Sequence, residues 1–290
     1  DVDPMTGNID PQQVEQAVHD LTSSRAAAQN WLPPKGVSDS GQLKGMIAID
    51  VFGQPADFDT LRKIANSFHL KIIEDSCEAL GAEYKNQKAG TLGDFGVFAF
   101  YPNKQITTGE GGLVITNHDE EADKIRAMRN QGRAPGDTWL EHTYLGYNYR
   151  MDELSAALGA AQMKRIQELM AARQRVADWY RAELSSVPGI TCPVVAPTTT
   201  RSSWFVYVIR LDRGIDRKSV SEKLAALGIP VRPYFSPIHY QPYIREKFGY
   251  QKGRFPVTED LGERGLALPF SGKMTEEQVQ EIASALRQIL

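Results

Sequence analysis

Lys104 stands in the run Phe98 Ala99 Phe100 Tyr101 Pro102 Asn103 Lys104, followed by Gln105 Ile106 Thr107 Thr108 Gly109 Glu110 Gly111 Gly112. A carboxylate, Asp75, lies 29 residues upstream at the end of the apolar run Lys71 Ile72 Ile73 Glu74 Asp75. A lysine amine becomes nucleophilic where apolar surroundings or neighbouring positive charge favour its neutral form, and it can then form an imine with an aldehyde. Phe98, Phe100, Tyr101 and Pro102 supply apolar neighbours, and the Gly109 to Gly112 loop lets backbone approach a bulky planar ligand. An acid at the carboxyl end of a strand, where open α/β sheets bind their ligands, can keep a heteroaromatic nitrogen protonated and make the ring an electron sink. Taken alone, Asp75 could equally cap the next turn and Lys104 could reach into water. It is the pairing that points to chemistry, and the pairing is what a pyridoxal-phosphate enzyme needs.

Other residues could serve the same site. Glu78 follows Asp75 by three positions and faces the same ligand if the chain turns helical there; a solvated glutamate is the other reading. Gly146 Tyr147 Asn148 Tyr149 Arg150 Met151 precede the longest periodic stretch. Read as a helix start, they offer unpaired N–H groups and a positive dipole end to a phosphate. Read locally, Asn148 is an N-cap and Arg150 half of a salt bridge. His239 falls in a loop with Tyr234, Tyr240 and Tyr243, side chains suited to stacking on a sugar ring and hydrogen-bonding its hydroxyls. A surface imidazole is the default alternative.

The elements that must hold these groups follow from hydrophobic periodicity. Ile9, Val14, Ala17, Val18 and Leu21 predict a helix over Asn8 to Leu21, with Asp10 as N-cap and Pro11 in the first turn. Thr22 to Gln42 reads as a long surface loop pinned by Trp31. Met46 to Phe52 is a buried-type strand closed by Gly53, Asp59 to Phe68 an amphipathic helix, and Lys71 to Glu74 the next strand. This is the βαβ unit of a parallel sheet covered on both faces. Gly96 to Phe100 and Gly112 to Thr116 add strands, and His118 to Asn130 a helix. Asp152 to Leu184 carries a near-continuous apolar stripe and reads as one or two helices bridging two domains. Beyond Pro188 and Gly189 come a linker (Pro193 to Ser203), a strand (Trp204 to Leu211), a helix (Lys218 to Leu227), a Pro- and Tyr-rich stretch (Pro230 to Tyr243) and a final helix after Thr275, boxed by Gln278. The expected class is α/β: a large domain with a mostly parallel sheet over 1–150, connecting helices over 151–187, and a small C-terminal α+β domain over 188–290.

Composition narrows the classes of function. With 290 residues, 41% of them hydrophobic, the chain can bury a sizeable core, and a net charge of -3 gives a polyanion such as nucleic acid no basic footprint. Cys77 and Cys192 are too few for a disulfide framework and lack zinc-site spacing, so a reducing cytoplasm fits. No apolar stretch approaches the ~20 residues of a membrane helix, and no signal layout opens the chain. Asp1 Val2 Asp3 Pro4 reads as the tail of a strand without its beginning.

Four stretches in order, Asp50 to Asp59 (DVFGQPADFD), Ile73 to Ala82 (IEDSCEALGA), Phe98 to Gly112 (FAFYPNKQITTGEGG) and Gly146 to Glu153 (GYNYRMDE), carry a resemblance over the whole chain to the DegT/DnrJ/EryC1/StrS sugar aminotransferases, fold type I enzymes of the aspartate aminotransferase superfamily. The resemblance implies pyridoxal 5'-phosphate as cofactor, Lys104 as the Schiff-base lysine, Asp75 as partner of the pyridine nitrogen, and Glu78 at a place where the family often has Gln or His. It implies that Asn148, with Arg150 close by, reaches the cofactor phosphate of the neighbouring subunit, hence a homodimer with shared active sites. The implied reaction moves an amino group, usually from glutamate, to a keto group of a nucleotide-linked sugar, with Lys104 also carrying the proton. Ala99 departs from the family's Ser, a loss of one hydrogen bond worth ~1.5–3 kcal/mol to a charged acceptor, and the family's first hundred or so residues have no counterpart here. Two other readings stand beside this one: a sugar dehydratase, against which Lys104 argues because those relatives carry His there, and a truncated, inactive paralogue serving as a structural or regulatory partner.

Overall fold

The computed structural model describes residues 1–37 and 41–290. Its main sheet runs in the order Gly45–Ile49, Lys71–Asp75, Phe95–Ala99, Gly112–Ile115. The first three strands are parallel and the last antiparallel. The helix Phe58–Ser67 returns the chain between the first two strands, capped by Asp57 and burying Leu61, Ile64 and Ala65 against the sheet. Gly96 is obligatory in its strand, because a Cβ there would sit 1.9 Å from the Gly90 carbonyl oxygen.

The expected first strand ends early. Asp50 closes it, and Val51–Gly53 forms a 3-10 turn with Phe52 at φ 59°. The sheet is also not covered on both faces. Ala48, Ile72, Glu74 and Phe98 are buried on one side, whereas Ile47 and Ile49 remain 60% and 45% exposed on the other. Register sets Ile49, Asp75, Val97 and Val114 in one row across that open face.

The first helix is Pro11–Ser23 with Asp10 as N-cap. The expected loop after it contains a short helix, Arg25–Ala28. Trp31 does pin it, its indole N–H donating to Asp20 at 2.8 Å; residues 38–40 of that loop lie outside the described residues. The helix Asp119–Arg129 follows the sheet as expected. The long periodic stretch resolves into two helices, Glu153–Met163 and Ile166–Leu184. Only the second buries its stripe, through Met170, Val176, Ala177, Tyr180 and Leu184; Leu154 on the first is 85% exposed.

The C-terminal half builds an antiparallel sheet in the order Arg232–Pro233, Gly265–Leu268, Tyr207–Leu211, Ile190–Thr191. Its core includes the fully buried Leu184, Leu211, Leu224, Leu266 and Leu286, each contributing roughly 1.5–3 kcal/mol by burial. Val176, Ala177, Tyr180 and Leu184 of the long helix pack into this core. The helices Arg217–Ala226 and Glu276–Ile289 cover the sheet, the latter with the capping box of Thr275 and Gln278.

The stretch expected to be a linker is tied down. Thr199–Arg201 pairs with Glu83–Tyr84, which pairs with Gln87–Lys88, and Gln54 bonds the Val194 carbonyl and the Ala196 N–H. Two helices were not expected from the sequence, Pro242–Phe248 and Pro256–Arg264, although each opens on a proline in its first turn. The latter lacks a local cap; the carboxylate of Asp1, from the far end of the chain, accepts from the N–H groups of Val257 and Thr258 at 2.8 Å. No helix among the described residues is long and apolar enough to cross a membrane.

Candidate active site

Lys104 sits in a turn, its N–H donating to the Tyr101 carbonyl at 3.0 Å, and its side chain is only 14% exposed. The amine lies 3.9 Å from Glu78 Oε1 and 4.4 Å from the centroid of the Phe205 ring. The aromatic beneath it therefore comes from the C-terminal half. Phe98 and Phe100, the neighbours expected from sequence, pack instead with Ile106, and Tyr101 is half exposed. An aromatic face attracts an ammonium through its quadrupole and excludes water on that side.

Phe205 is held with some care. Trp204 adopts φ 49°, and the Arg173 guanidinium donates to the carbonyls of Trp204 and Phe205 at 2.9 and 3.3 Å. Burial without a carboxylate partner pulls Arg173 below the usual guanidinium range. Ser203, just before, contacts the Glu78 carbonyl at 3.0 Å, and Gln105, next to the lysine, donates to that carbonyl at 2.5 Å and to Ser203 at 2.8 Å. The other end of the Gln105 amide, Oε1, is buried with no partner.

Glu78 follows the strand in a turn rather than a helix. Its Oε2 accepts the Phe52 N–H at 3.0 Å. Burial raises its carboxyl above the ordinary range, partly offset by that N–H and by the Lys104 charge. Asp75 caps the turn, accepting the Cys77 N–H at 3.1 Å, while its position in the sheet register places it on the open face. Cys77 reports on both charged groups: burial pushes its thiol up to about 12, with Asp75 raising it and Lys104 lowering it. The thiol stays protonated at neutral pH.

Tyr234 stands beside this group. Its ring is 5.4 Å from that of Phe52, and burial together with the Glu78 charge raises its phenol well above the ordinary range.

The remaining candidates lie elsewhere. His239 is 6% exposed, its Nε2 3.0 Å from Glu259 Oε1 and its ring 4.9 Å from Phe255 and 4.5 Å from Tyr240. The expectation of a substrate-facing or surface imidazole is corrected, because Glu259 and the surrounding rings enclose it. Gly146 to Met151 is not a helix start: Asp152 caps the helix, and the run pairs back on residues 128–131 through Tyr147, Tyr149 and the bridge between Asn148 and Asn130. Arg150 donates to Asn130 at 2.8 Å instead of forming the salt bridge read locally, and both Asn148 and Arg150 are exposed. Phe205, Arg173 and Gln105 were missed. For the first two no local signal exists, since their role arises from packing between distant segments; Gln105 adjoins the lysine and could have been singled out by that adjacency.

Known proteins resemble this chain in sequence and fold. The profile of the DegT/DnrJ/EryC1/StrS aminotransferase family matches residues 1–287. The GDP-perosamine synthase of Caulobacter vibrioides is 36% identical over 293 residues, spanning 100% of this chain and 72% of that protein. A DegT DnrJ EryC1 StrS aminotransferase from Brucella abortus superposes with a TM-score of 0.84 at 30% identity, over 99% of this chain and 72% of the other. The GDP-4-keto-6-deoxy-D-mannose-3-dehydratase of E. coli, solved with bound hydrated PLP, gives 0.81 at 25% identity, over 99% and 72%. Pyridoxal phosphate is the cofactor, and the residues fit it: a shielded amine, an acid in the row across the open sheet face, and a buried acceptor alongside that has no partner among the described residues. By sequence, fold and site together, the chain belongs to the DegT/DnrJ/EryC1/StrS aminotransferase family.

Proposed function

We propose that this chain transfers an amino group from glutamate to the keto carbon of a nucleotide-linked sugar, as a homodimer with shared active sites in the cytoplasm. The observation that carries the reading is the Lys104 amine, nearly enclosed between Glu78 and Phe205. The Caulobacter relative, named for a GDP-sugar product, makes guanosine diphosphate the first carrier to test. The two cysteines are free, which suits a reducing compartment.

When bound, pyridoxal phosphate supplies an aldehyde and a ring that accepts the electron pair left as a donor carbon loses its proton. Lys104 would hold the cofactor through Nζ and would carry the proton at that same atom. Asp75 would keep the ring nitrogen protonated. Glu78 orients the amine, Phe205 excludes water beneath it, and Tyr234 offers its hydroxyl to the sugar. Asn148 and Arg150 complete the phosphate site of the partner subunit. Support for the dimer comes from the apolar surface around them: Trp139, Leu140, Leu145 and Leu154 are each 78–85% exposed, and Tyr147 and Tyr149 stack in the open. Patches of this kind mark interaction sites.

The test is spectroscopic. Pyridoxal phosphate added to the protein should give a visible band that shifts with glutamate and recovers with a GDP-linked 4-keto sugar. Lys104→Ala should abolish the band. A Lys104→Ala protein that still responds to glutamate overturns the reading, and absence of stoichiometric binding in equilibrium dialysis favours the inert paralogue.

A further inference from the structure

Two carboxyl groups lie wholly inside the covered side of the main sheet: Asp50, at the end of the first strand, and Glu74, in the second, both 0% exposed. Ser76, also 0% exposed, stands between them, its Oγ 2.6 Å from Asp50 Oδ2 and 3.2 Å from Glu74 Oε1. The two acids are surrounded differently. Glu74 accepts three backbone N–H groups, Gly90 at 2.5 Å, Leu92 at 2.6 Å and Gly93 at 3.1 Å. Asp50 accepts one, from Ala56 at 3.1 Å.

Two buried carboxyl groups that meet each other and share one hydroxyl cannot both ionise at modest cost, so the pair retains a proton, which Asp50 holds toward Glu74 as well as toward Ser76. That proton belongs on the acid with fewer donors, because an ionised carboxylate needs every donor it can find. Ser76 has one hydrogen to give, and the carboxylate with three N–H donors is the one positioned to take it as a fourth. Burial and the charge of Glu74 push Asp50 well above the ordinary carboxyl range; burial also raises Glu74, but its backbone donors pull it back.

We propose that Asp50, Ser76 and Glu74 form a one-proton hydrogen-bond chain of fixed direction, neutral Asp50 to Ser76 to ionised Glu74, and that this chain positions Asp75 for its role toward the cofactor's ring nitrogen. The inference rests on Asp75 as partner of the ring nitrogen. Residues 74 and 76 are anchored on the covered side, so residue 75 must face the other way. Its main chain is clamped as well: the Asp75 carbonyl accepts the Asp50 N–H at 3.0 Å, and the next N–H, of Ser76, bonds the Val97 carbonyl at 3.0 Å. Loosening the chain lets the Asp75 carboxylate drift without removing it. Asp50, Ser76 and Glu74 are thus positioning residues that never touch the ligand.

Three variants of the full chain test this. Asp50→Asn keeps the direction of the chain, its amide N–H donating to Ser76 and its oxygen accepting from Ala56. Its melting temperature without cofactor should stay within about 2 °C of wild type and its Kd for pyridoxal phosphate within about twofold. Glu74→Gln turns an amide N–H against backbone N–H groups, and should melt several degrees lower and bind pyridoxal phosphate about tenfold more weakly. Ser76→Ala introduces no new donor and remains informative if Glu74→Gln does not fold. It should weaken pyridoxal phosphate about fivefold and lower kcat with the sugar KM unchanged. Equal damage from the two isosteric amides, or damage from Asp50→Asn alone, overturns the direction. A Ser76→Ala protein with lowered melting temperature but wild-type Kd and kcat overturns the positioning role. Wild-type protein that binds no pyridoxal phosphate would refute the functional reading and the positioning role together, while the melting order of cofactor-free Asp50→Asn and Glu74→Gln still decides the direction of the chain.

Discussion

His239→Ala separates a structural imidazole from a substrate ligand. The ring is 6% exposed, bonds Glu259 at 3.0 Å, and lies against Tyr240 and Phe255. Removing it forfeits a hydrogen bond to a carboxylate, about 1.5–3 kcal/mol, and leaves a hole among rings worth about 1–2 kcal/mol. The sum, about 2.5–5 kcal/mol, corresponds to a fall in melting temperature of about 5–20 °C at roughly 2–4 °C per kcal/mol. The pH dependence adds a sign. Burial alone would raise Glu259, but the N–H groups of Gly253 and Phe255 and the His239 ring hold its carboxyl down at about 2, below the ordinary 4.5. A depressed carboxyl contributes stability above its unfolded pKa, and that contribution is lost as pH falls from 4.5 toward 2. The gap between wild type and His239→Ala should therefore narrow across that window, as read by thermal melts at fixed ionic strength. Unchanged melting with a tenfold rise in the sugar KM would refute the reasoning, for then the imidazole faces the substrate.

Other outcomes are expected at the junctions of the structure. Gly53 has φ 98°, and a Cβ there would lie 2.7 Å from Ser203 Oγ and 2.8 Å from the Trp204 nitrogen. Gly53→Ala should cost about 2–4 kcal/mol in chemical denaturation and weaken pyridoxal phosphate binding by shifting Phe205; a variant as stable as wild type would contradict that packing. Leu154→Glu and Leu158→Glu change side chains that are 85% and 50% exposed, so the protomer should keep its stability within about 0.5 kcal/mol. Sedimentation should nevertheless shift from dimer to monomer, and an unchanged sedimentation coefficient would remove this face from the interface. Glu78→Gln keeps an acceptor for the Phe52 N–H but removes the charge beside Lys104. Its pH–rate profile should lose one ionisation while the melting temperature holds, whereas an unaltered profile would count against Glu78 orienting the amine.

The sequence by itself determined whatever is local in periodicity or chemistry. The strand and helix periods of the βαβ unit, the Asp10 cap, and the Thr275 and Gln278 box all depend on neighbours within a few positions along the chain. Tertiary structure decided the rest, because the deciding partner is remote. Phe205 reaches Lys104 only through a segment held by Arg173 and Gly53, and Asp1 caps a helix that begins at Pro256. His239 is as polar on paper as any loop histidine until Glu259, Phe255 and Tyr240 close around it. The stripe from Leu154 to Leu184 is continuous in sequence, yet only its second helix finds a core to cover it. Hydrophobic pattern states what a face can bury, and only the arrangement of the other elements determines whether anything is there to bury it against.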